Sequence, residues 1–532
     1  MRKHRALRPL QGKQCDNVSE GRPLHEESTL LNYDVFLTCG KFLLSVDFYI
    51  YEEYNSIEYI LIAVCCGRAA PFPCIPDDFS GEIMTDFFGK RVLVLGLARS
   101  GMAAVKLLVK LGAEVTVSEQ KAPCDIKELP ELEAMGVRVV QQTEDVFEEE
   151  YFLAVKNPGI NGKLWFVKRL RERGISVITE IELAFMVSAP QHYVAITGSN
   201  GKTTTSTLAY EIIKAQHPDK TLLCGNIGIA LCEMVLQYDL INNEGYYIVL
   251  EISNFQLLDI VSFRPETAVI INLAADHLDF MGTEDAYYRS KLRVYENMKK
   301  GDLFLYNIDD ELIREYTAEV PVGSDIMTYS LEKKSADLYA DREWVYLKGE
   351  RLFPLSVIKV VGRHNVQNVL VGIGAALKCG VTKENIEKAV SEFSGVEHRI
   401  EFVREKDGVR YYNDSKGTNV DATVTALKAF ESPVILFAGG HEKGLDLTPL
   451  KPLMGGVKLL VAYGECGERI FKELCGYTRA VLVRDLPEAL KFSEELLSEG
   501  DVVLLSPTTS SYDQYTCFEE RGEHFKSLVN SL

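Results

Sequence analysis

The sequence predicts an α/β protein of three domains, each built on a mostly parallel sheet, preceded by an N-terminal extension of different character. Three observations carry this. Short apolar runs alternate with amphipathic runs of helical length through most of the chain, the pattern of βαβ units. Glycine-bounded turns directly follow some of the apolar runs, as they do at the ligand-binding edge of parallel sheets. A chain of 532 residues, 46% hydrophobic and 25% charged, is globular in composition and too long for one core.

Residues 1–83 hold five of the twelve cysteines, gather aromatics between Tyr33 and Tyr59 and offer few recognisable alternating units. Regular structure begins at Lys90. Arg91-Val-Leu-Val-Leu-Gly96 reads as a buried strand, a glycine-bounded turn runs to Gly101, Met102 to Leu111 is an amphipathic helix, and Glu114 to Ser118 is a second strand. A second series holds the strands Tyr193–Thr197, Tyr246–Leu250, Ala268–Ile271 and Leu303–Tyr306, apolar enough to be buried on both faces. A third holds Val434–Phe437, Leu459–Ala462, Ala480–Val483 and Val502–Leu505, with helical segments between them. The joints are expected near Ile181 and Ser394.

Composition excludes several functions. A net charge of −19 and a pI near 5.1 disfavour a broad electrostatic grip on nucleic acid, so anionic ligands must be held by local devices. The most apolar N-terminal stretch, Ile57–Cys66, contains Glu58 and is about half the ~20 residues of a spanning helix, so no membrane span is expected. The cysteines show no C-x-x-C pair or metal-ligand spacing. Free thiols in a reducing, cytoplasmic setting are expected, without zinc. No apolar segment follows Arg2, Lys3 and Arg5 to make a signal peptide.

The strongest local signal is Thr197-Gly-Ser-Asn-Gly-Lys-Thr-Thr204, between a strand and the helical run Thr205–Ala215. Glycines let backbone N–H groups converge on phosphate oxygens and the helix start adds its positive end; Lys202 can reach the β/γ-phosphates and Thr203 can ligate Mg²⁺. The spacing is unusual, with Gly198 three residues before Gly201. Taken alone, the segment could be a glycine-rich turn with a surface lysine. Glu251 ends the strand Tyr246–Leu250 at the expected ligand crevice, and Asp276-His277-Leu-Asp279 follows another strand. Either could be metal-directed or an ordinary solvated group.

With further motifs in order, the sequence resembles the Mur ligase superfamily, and within it the D-glutamate-adding ligases. The resemblance runs from about Phe87 to the C-terminus. It lies in Gly198–Thr203, Gly225-Asn-Ile-Gly228, Glu251-Ile-Ser-Asn-Phe-Gln256, Asp276–Asp279, Lys291-Leu-Arg-Val-Tyr-Glu-Asn297, Gly362-Arg-His-Asn365, His398-Arg399, Asn413-Asp-Ser-Lys-Gly-Thr-Asn419, Leu505-Ser-Pro507 and Ser511–Phe518. Asp-Ser-Lys-Gly-Thr-Asn in the last third carries the choice of branch.

The resemblance implies a Rossmann-like UDP-binding domain at 87–181, a central ATPase domain with a P-loop at 182–394, and a Rossmann-like amino-acid domain at 395–532, after an extension at 1–86. It implies an ATP-dependent ligase of peptidoglycan synthesis, joining D-glutamate to UDP-N-acetylmuramoyl-L-alanine through an acyl phosphate. Lys202, His277, Lys291 and Arg399 would be catalytic. Gly198, Ser199, Asn200, Gly201, Lys202, Thr203, Thr204, Asn365, Asn368, Arg399, Asp414 and Lys416 would bind ATP. Two Mg²⁺ ions, with Mn²⁺ as an alternative, would use Thr203, Glu251, His277 and a carbamate on Lys291. Leu97, Ala98, Arg99, Ser100, Glu119, Asn157, Gly159, Asn226 and His277 would hold the UDP-sugar, and Thr418, Lys443, Ser511, Tyr512 and Phe518 the D-glutamate.

Asn157, Asn254 and Tyr512 depart from the family pattern and bear on pocket detail more than on reaction type. A monomer is expected. Met84–Arg91 resembles the family's usual start, so residues 1–83 are expected to be a translation-start artefact or a dispensable appendage, a folded accessory module being the alternative. The rivals are a sister ligase, including the folate branch; an NAD-dependent dehydrogenase, suggested by the Gly96 turn but lacking a full G-x-G-x-x-G; and a nucleotide-binding module without turnover.

Overall fold

The computed structural model describes residues 31–39, 42–50, 86–320 and 322–532. Near the N-terminus Leu31–Cys39 and Phe42–Ile50 form an antiparallel pair, an element the sequence reading did not expect. Apart from that pair, the expected appendage at 1–83 lies outside the described residues.

The larger unit holds three sheets. The first has five parallel strands in the order Arg138–Gln141, Glu114–Glu119, Arg91–Leu95, Leu153–Lys156, Ser176–Ile178. The helix Arg99–Lys110 starts three residues earlier than Met102, because the turn after Gly96 is short enough for Arg99 to enter the first helical turn. Its buried face is Gly101, Ala103, Ala104, Val105, Leu107 and Leu108. Gly101 lies so close to the Gly96 carbonyl oxygen that a Cβ there would collide with it.

The second sheet has nine strands, in the order Glu350–Pro354, Trp344–Leu347, Leu338–Ala340, Asp325–Ser330, Leu303–Asn307, Thr267–Ile270, His192–Thr197, Tyr247–Glu251, Thr221–Gly225. All pair in parallel except the edge hairpin from Leu338 to Pro354. The central strands are almost wholly buried, as their unbroken apolar runs require. The helices Lys202–Gln216 and Arg363–Lys378 cover one face; Leu208, Ile212, Val369 and Ile373 pack there on Val194, Ile196 and Val249.

The third sheet has six strands: Glu401–Lys406, Val409–Asn413, Val502–Leu505, Val434–Gly439, Val457–Tyr463, Ala480–Leu482. Only the first pairing is antiparallel. Helices lie over two separate apolar clusters built from alternate residues of these strands.

The first two sheets are tied by buried charge. Ile181, where a joint was expected, lies inside the helix Glu180–Val187. From that helix the Glu182 carboxylate accepts the N–H groups of Val261, Ser262 and Phe263 at 2.9, 2.7 and 2.9 Å. Nearby, Asp259 takes Lys156 of the first sheet at 3.1 Å and Arg171 at 2.5 Å. Ser394 follows the helix Lys383–Glu392 and leads into a backbone with positive φ at both His398 and Ile400. For a β-branched residue such as Ile400 that conformation is strained, and it flanks Arg399.

Candidate active site

The phosphate loop stands where the strand His192–Thr197 ends and the helix Lys202–Gln216 begins, at the C-terminal edge of the second sheet. Gly201 caps the helix at φ +81°, in the left-handed region open to glycine. Asn272, beyond the neighbouring strand, shapes the loop: its Oδ1 accepts Ser199 N–H and Asn200 N–H at 3.1 and 2.8 Å. Beneath it, Asn368 Oδ1 accepts the Thr205 hydroxyl at 2.9 Å while Asn368 Nδ2 donates to Asn365 Oδ1 at 3.0 Å. Both asparagines are buried, bracing the loop helix against the helix Arg363–Lys378.

Lys202 folds back on its own loop, donating to the carbonyls of Gly198 and Ser199 at 2.7 and 2.8 Å. Burial pulls its pKa down, opposed by Glu251 and Asp276 and assisted by Arg399. Lys291, on the helix Glu284–Leu292, is 1% exposed, donates to the Gly198 carbonyl at 3.0 Å and lies over the Tyr287 ring. Burial, then the nearby Lys202 charge, holds its pKa well below the usual lysine value. A buried amine biased towards its neutral form fits carbamate formation, since the neutral amine is the nucleophile towards CO₂.

Glu251 is 3% exposed; its Oε1 accepts Asn226 Nδ2 at 2.8 Å and its Oε2 has no hydrogen-bond partner among the described residues. A buried carboxylate oxygen left free in a cleft that Thr203 also lines fits a hard cation. His277 has φ +52°, and its ring packs against Phe255 with centroids 4.9 Å apart. The carboxylates and histidine of Glu397, His398 and Glu523 also converge, but Lys526 already lies 2.5 Å from Glu397 and 2.7 Å from Glu523 and supplies the positive charge there.

The cleft has a volume of about 640 Å³ and draws on all three sheets. The first contributes Arg99, which donates to the Gly228 carbonyl across the cleft. The second contributes Ser199, Asn200, Gly201, Lys202, Thr203, Asn226 and Glu251, and the third contributes Arg399, Lys416 and Phe518. Arg399 is pulled down from the usual guanidinium pKa by burial, against the pull of Asp414 and Glu251. Asp414 is buried, accepts the Ser506 hydroxyl at 2.7 Å, and is pushed up to about 7 by that burial. Lys416 Nζ lies over the Phe518 ring at 5.3 Å.

Other anticipated residues lie outside this lining. Gly198 and Thr204 belong to the loop itself, Lys291 and Asn368 touch it from behind, and His277, Asn365 and Asp414 are not among the lining residues. Leu97, Ala98, Ser100, Glu119, Asn157 and Gly159 gather at the C-terminal edge of the first sheet. There Glu119 accepts the Leu97 N–H at 2.5 Å and Asn157 Nδ2 donates to Ser100 at 3.0 Å. Thr418, Lys443, Ser511 and Tyr512 lie on loops of the third sheet; Ser511 is buried, whereas Tyr512 is 69% exposed. Three residues went unnamed from sequence. Asn272 stands at a strand end, which could have marked it; Glu519 lines the cleft at the start of the helix Phe518–Asn530. Arg521, wholly buried and bound to Ser415 and Thr509 carbonyls, carries no local signal.

A glycine loop between strand and helix, faced by a buried carboxylate and by cations from another sheet, has the chemistry of a site for a nucleotide polyphosphate. Family comparison places that chemistry among ligases: residues 196–376 match the Mur ligase middle domain and residues 398–509 the Mur ligase, glutamate ligase domain. The UDP-N-acetylmuramoylalanine–D-glutamate ligase of Geobacillus kaustophilus (strain HTA426) is 40% identical over 449 residues, covering 83% of this chain and 98% of the relative. The enzyme of the same name from Halalkalibacterium halodurans is 39% identical over 449 residues, covering 84% and 98%. The solved structure of a UDP-N-acetylmuramoyl-L-alanyl-D-glutamate–2,6-diaminopimelate ligase shares the fold, with a TM-score of 0.52 at 20% identity over 79% of this chain and 92% of that one. The chain belongs to the UDP-N-acetylmuramoylalanine–D-glutamate ligase family.

Proposed function

We propose that this protein joins D-glutamate to UDP-N-acetylmuramoyl-L-alanine at the expense of ATP, as a step in peptidoglycan precursor synthesis. The observation that carries the reading is the relationship to D-glutamate ligases over 98% of their length. In the proposed reaction a carboxylate oxygen of the muramoyl-alanine attacks the γ-phosphorus and ADP leaves. The amine of D-glutamate then attacks the resulting acyl phosphate, loses a proton, and expels phosphate carrying the former carboxylate oxygen.

Phosphoryl transfer asks mainly for alignment and charge neutralisation. The loop N–H groups from Ser199 to Thr203 would hold the phosphates, Lys202 would swing from its loop carbonyls to the β/γ-phosphates, and Arg399 would meet the transferred group from the opposite wall. Thr203 and Glu251 would hold one Mg²⁺, and His277 with a carbamate on Lys291 a second, supplying charge neutralisation when bound. Asn365 and Asn368 would lie towards the adenine, Asp414 would receive the ribose and Lys416 would lie near the nucleotide; Asn226 and His277 would meet the muramoyl-alanine. The turn at Leu97–Ser100, with Glu119, Asn157 and Gly159, would take UDP. Thr418, Lys443, Ser511, Tyr512 and Phe518 would take D-glutamate.

We assign 87–181 to the UDP-sugar, 182–394 to ATP and 395–532 to the amino acid. We further propose a monomer, acting in the cytoplasm. Among the described residues no helix is long and apolar enough to cross a membrane. The test uses UDP-N-acetylmuramoyl-L-alanine labelled with ¹⁸O in its carboxylate. One ¹⁸O should appear in released phosphate and the amide product in the mass spectrum; unlabelled phosphate would reject the acyl-phosphate route.

A further inference from the structure

The strand Val434–Gly439 ends in a loop, 440–446, that presents Lys443 to solvent. Among the described residues its ammonium has no hydrogen-bond or ion-pair partner, although Glu442 is its immediate neighbour. Glu442 is occupied elsewhere. Arg469, on the helix Gly467–Leu474, grips it with a two-pronged fork, Nε to Oε2 and Nη2 to Oε1, both at 2.9 Å. The same carboxylate accepts the Gly444 N–H at 2.6 Å. These donors, the arginine first, hold the Glu442 carboxyl down to about 2. The remaining Arg469 nitrogen is spent on the Leu445 carbonyl at 2.9 Å and on Glu473 at 3.0 Å.

The loop is also fastened to the segment that carries Ser511 and Tyr512. His441 N–H donates to the Ser510 carbonyl at 2.9 Å, and the Thr509 hydroxyl donates to the His441 carbonyl at 2.5 Å. Glu465 pairs with His441 Nδ1 at 2.6 Å and donates its own N–H to Asp513 at 3.1 Å. Lys443 is therefore the one cation of this loop and its braces left without a carboxylate, and it projects from a backbone fixed on both sides.

We propose that Arg469 is a positioning residue that withholds Glu442 from Lys443, so that the Lys443 ammonium stays open for a carboxylate of the incoming amino acid. The inference rests on the D-glutamate reading above and adds to it the residue that keeps the lysine available. A bidentate fork is what makes the withholding selective: a guanidinium engages both carboxylate oxygens at once, which a lysine ammonium does not.

The test is steady-state kinetics of the full chain, varying D-glutamate for wild type, Arg469→Ala, Arg469→Lys and the double variant Glu442→Ala/Arg469→Ala, with thermal unfolding as the folding control. Arg469→Ala should raise the KM for D-glutamate about fivefold, the upper range for one competing exposed charge pair, with kcat and the KM for ATP altered less than about twofold. The double variant should recover much of that loss, since the competing carboxylate has gone. If the alanine variant does not fold, Arg469→Lys, which keeps a charge but not the fork, should show the same rise in smaller degree. An unchanged KM in the folded variants, or a double variant no better than Arg469→Ala, would overturn the proposal. A wild type lacking D-glutamate-dependent turnover would instead remove the functional reading, and this inference with it.

Discussion

Replacing Asp259 by leucine should loosen the first sheet from the second by about 3 kcal/mol, for reasons that can be followed atom by atom. The carboxylate is 6% exposed and its partner Lys156 1% exposed, at 3.1 Å. Arg171, the other partner, is 44% exposed, so water compensates most of its loss. The penalty is thus chiefly that of a lysine left charged in a buried place. Breaking a buried pair from one side costs about 3–5 kcal/mol, and the lower end applies here because two escapes remain. Lys156 keeps carbonyl acceptors at Ile160, 2.9 Å, and Asn157, 3.4 Å. Burial has also lowered its pKa, which eases loss of the proton. Replacing both partners, Lys156→Met with Asp259→Leu, removes the stranded charge and should lie within about 1 kcal/mol of wild type. The assay is urea unfolding followed by tryptophan fluorescence. The chain has two tryptophans, and Trp165 belongs to the first sheet's helix while Trp344 lies in the second sheet. A Trp344→Phe background isolates the former. A single variant as stable as wild type, or a double variant as weak as the single, would refute the reasoning.

Three further outcomes are expected. Glu180 is wholly buried and its carboxyl is pushed up to about 7 by that burial, so between its unfolded value near 4.5 and 7 the folded state holds a proton the unfolded state has shed. Stability should fall as pH rises through that window, and Glu180→Gln should flatten the fall and gain most above pH 7, as read by melting temperature against pH. Gly225 has φ +107°, and a Cβ there would press on the Glu251 carbonyl oxygen and come within 2.8 Å of Leu250 Cδ1. Gly225→Ala should cost about 1–3 kcal/mol in denaturant titration and lower activity, since Glu251 sits on the displaced strand end. Lys202→Met should reduce kcat for phosphate release by about 10²-fold or more, with the fold retained by circular dichroism.

Much of this architecture was legible because doubly buried parallel strands leave continuous apolar runs, as Val502–Leu505 and Tyr247–Glu251 do. The edge hairpins were not. Trp344–Leu347 and Glu401–Lys406 are only partly buried, so their patterns lack the contrast that marks a strand. The glycine loop was readable because its signal is local: the glycines, Lys202 and Thr203 fall within one turn between a strand and a helix. Its brace Asn272 was not, because that residue reaches the loop from about 70 positions away; nor was Arg521, which joins Ser415 to Thr509 in the third sheet's loops, segments met only in space. Lys443 was named only through the family resemblance, and the arginine that occupies its neighbouring carboxylate was not named at all, because the two meet only in space.

The central claim is that D-glutamate is the acceptor. Phosphate release with Mg²⁺-ATP and UDP-N-acetylmuramoyl-L-alanine, measured separately with D-glutamate, L-glutamate, L-alanine, L-lysine and diaminopimelate, tests it most directly. Release that depends on D-glutamate and is absent with L-glutamate is the predicted result; equal release with every acceptor, or with none, would contradict it.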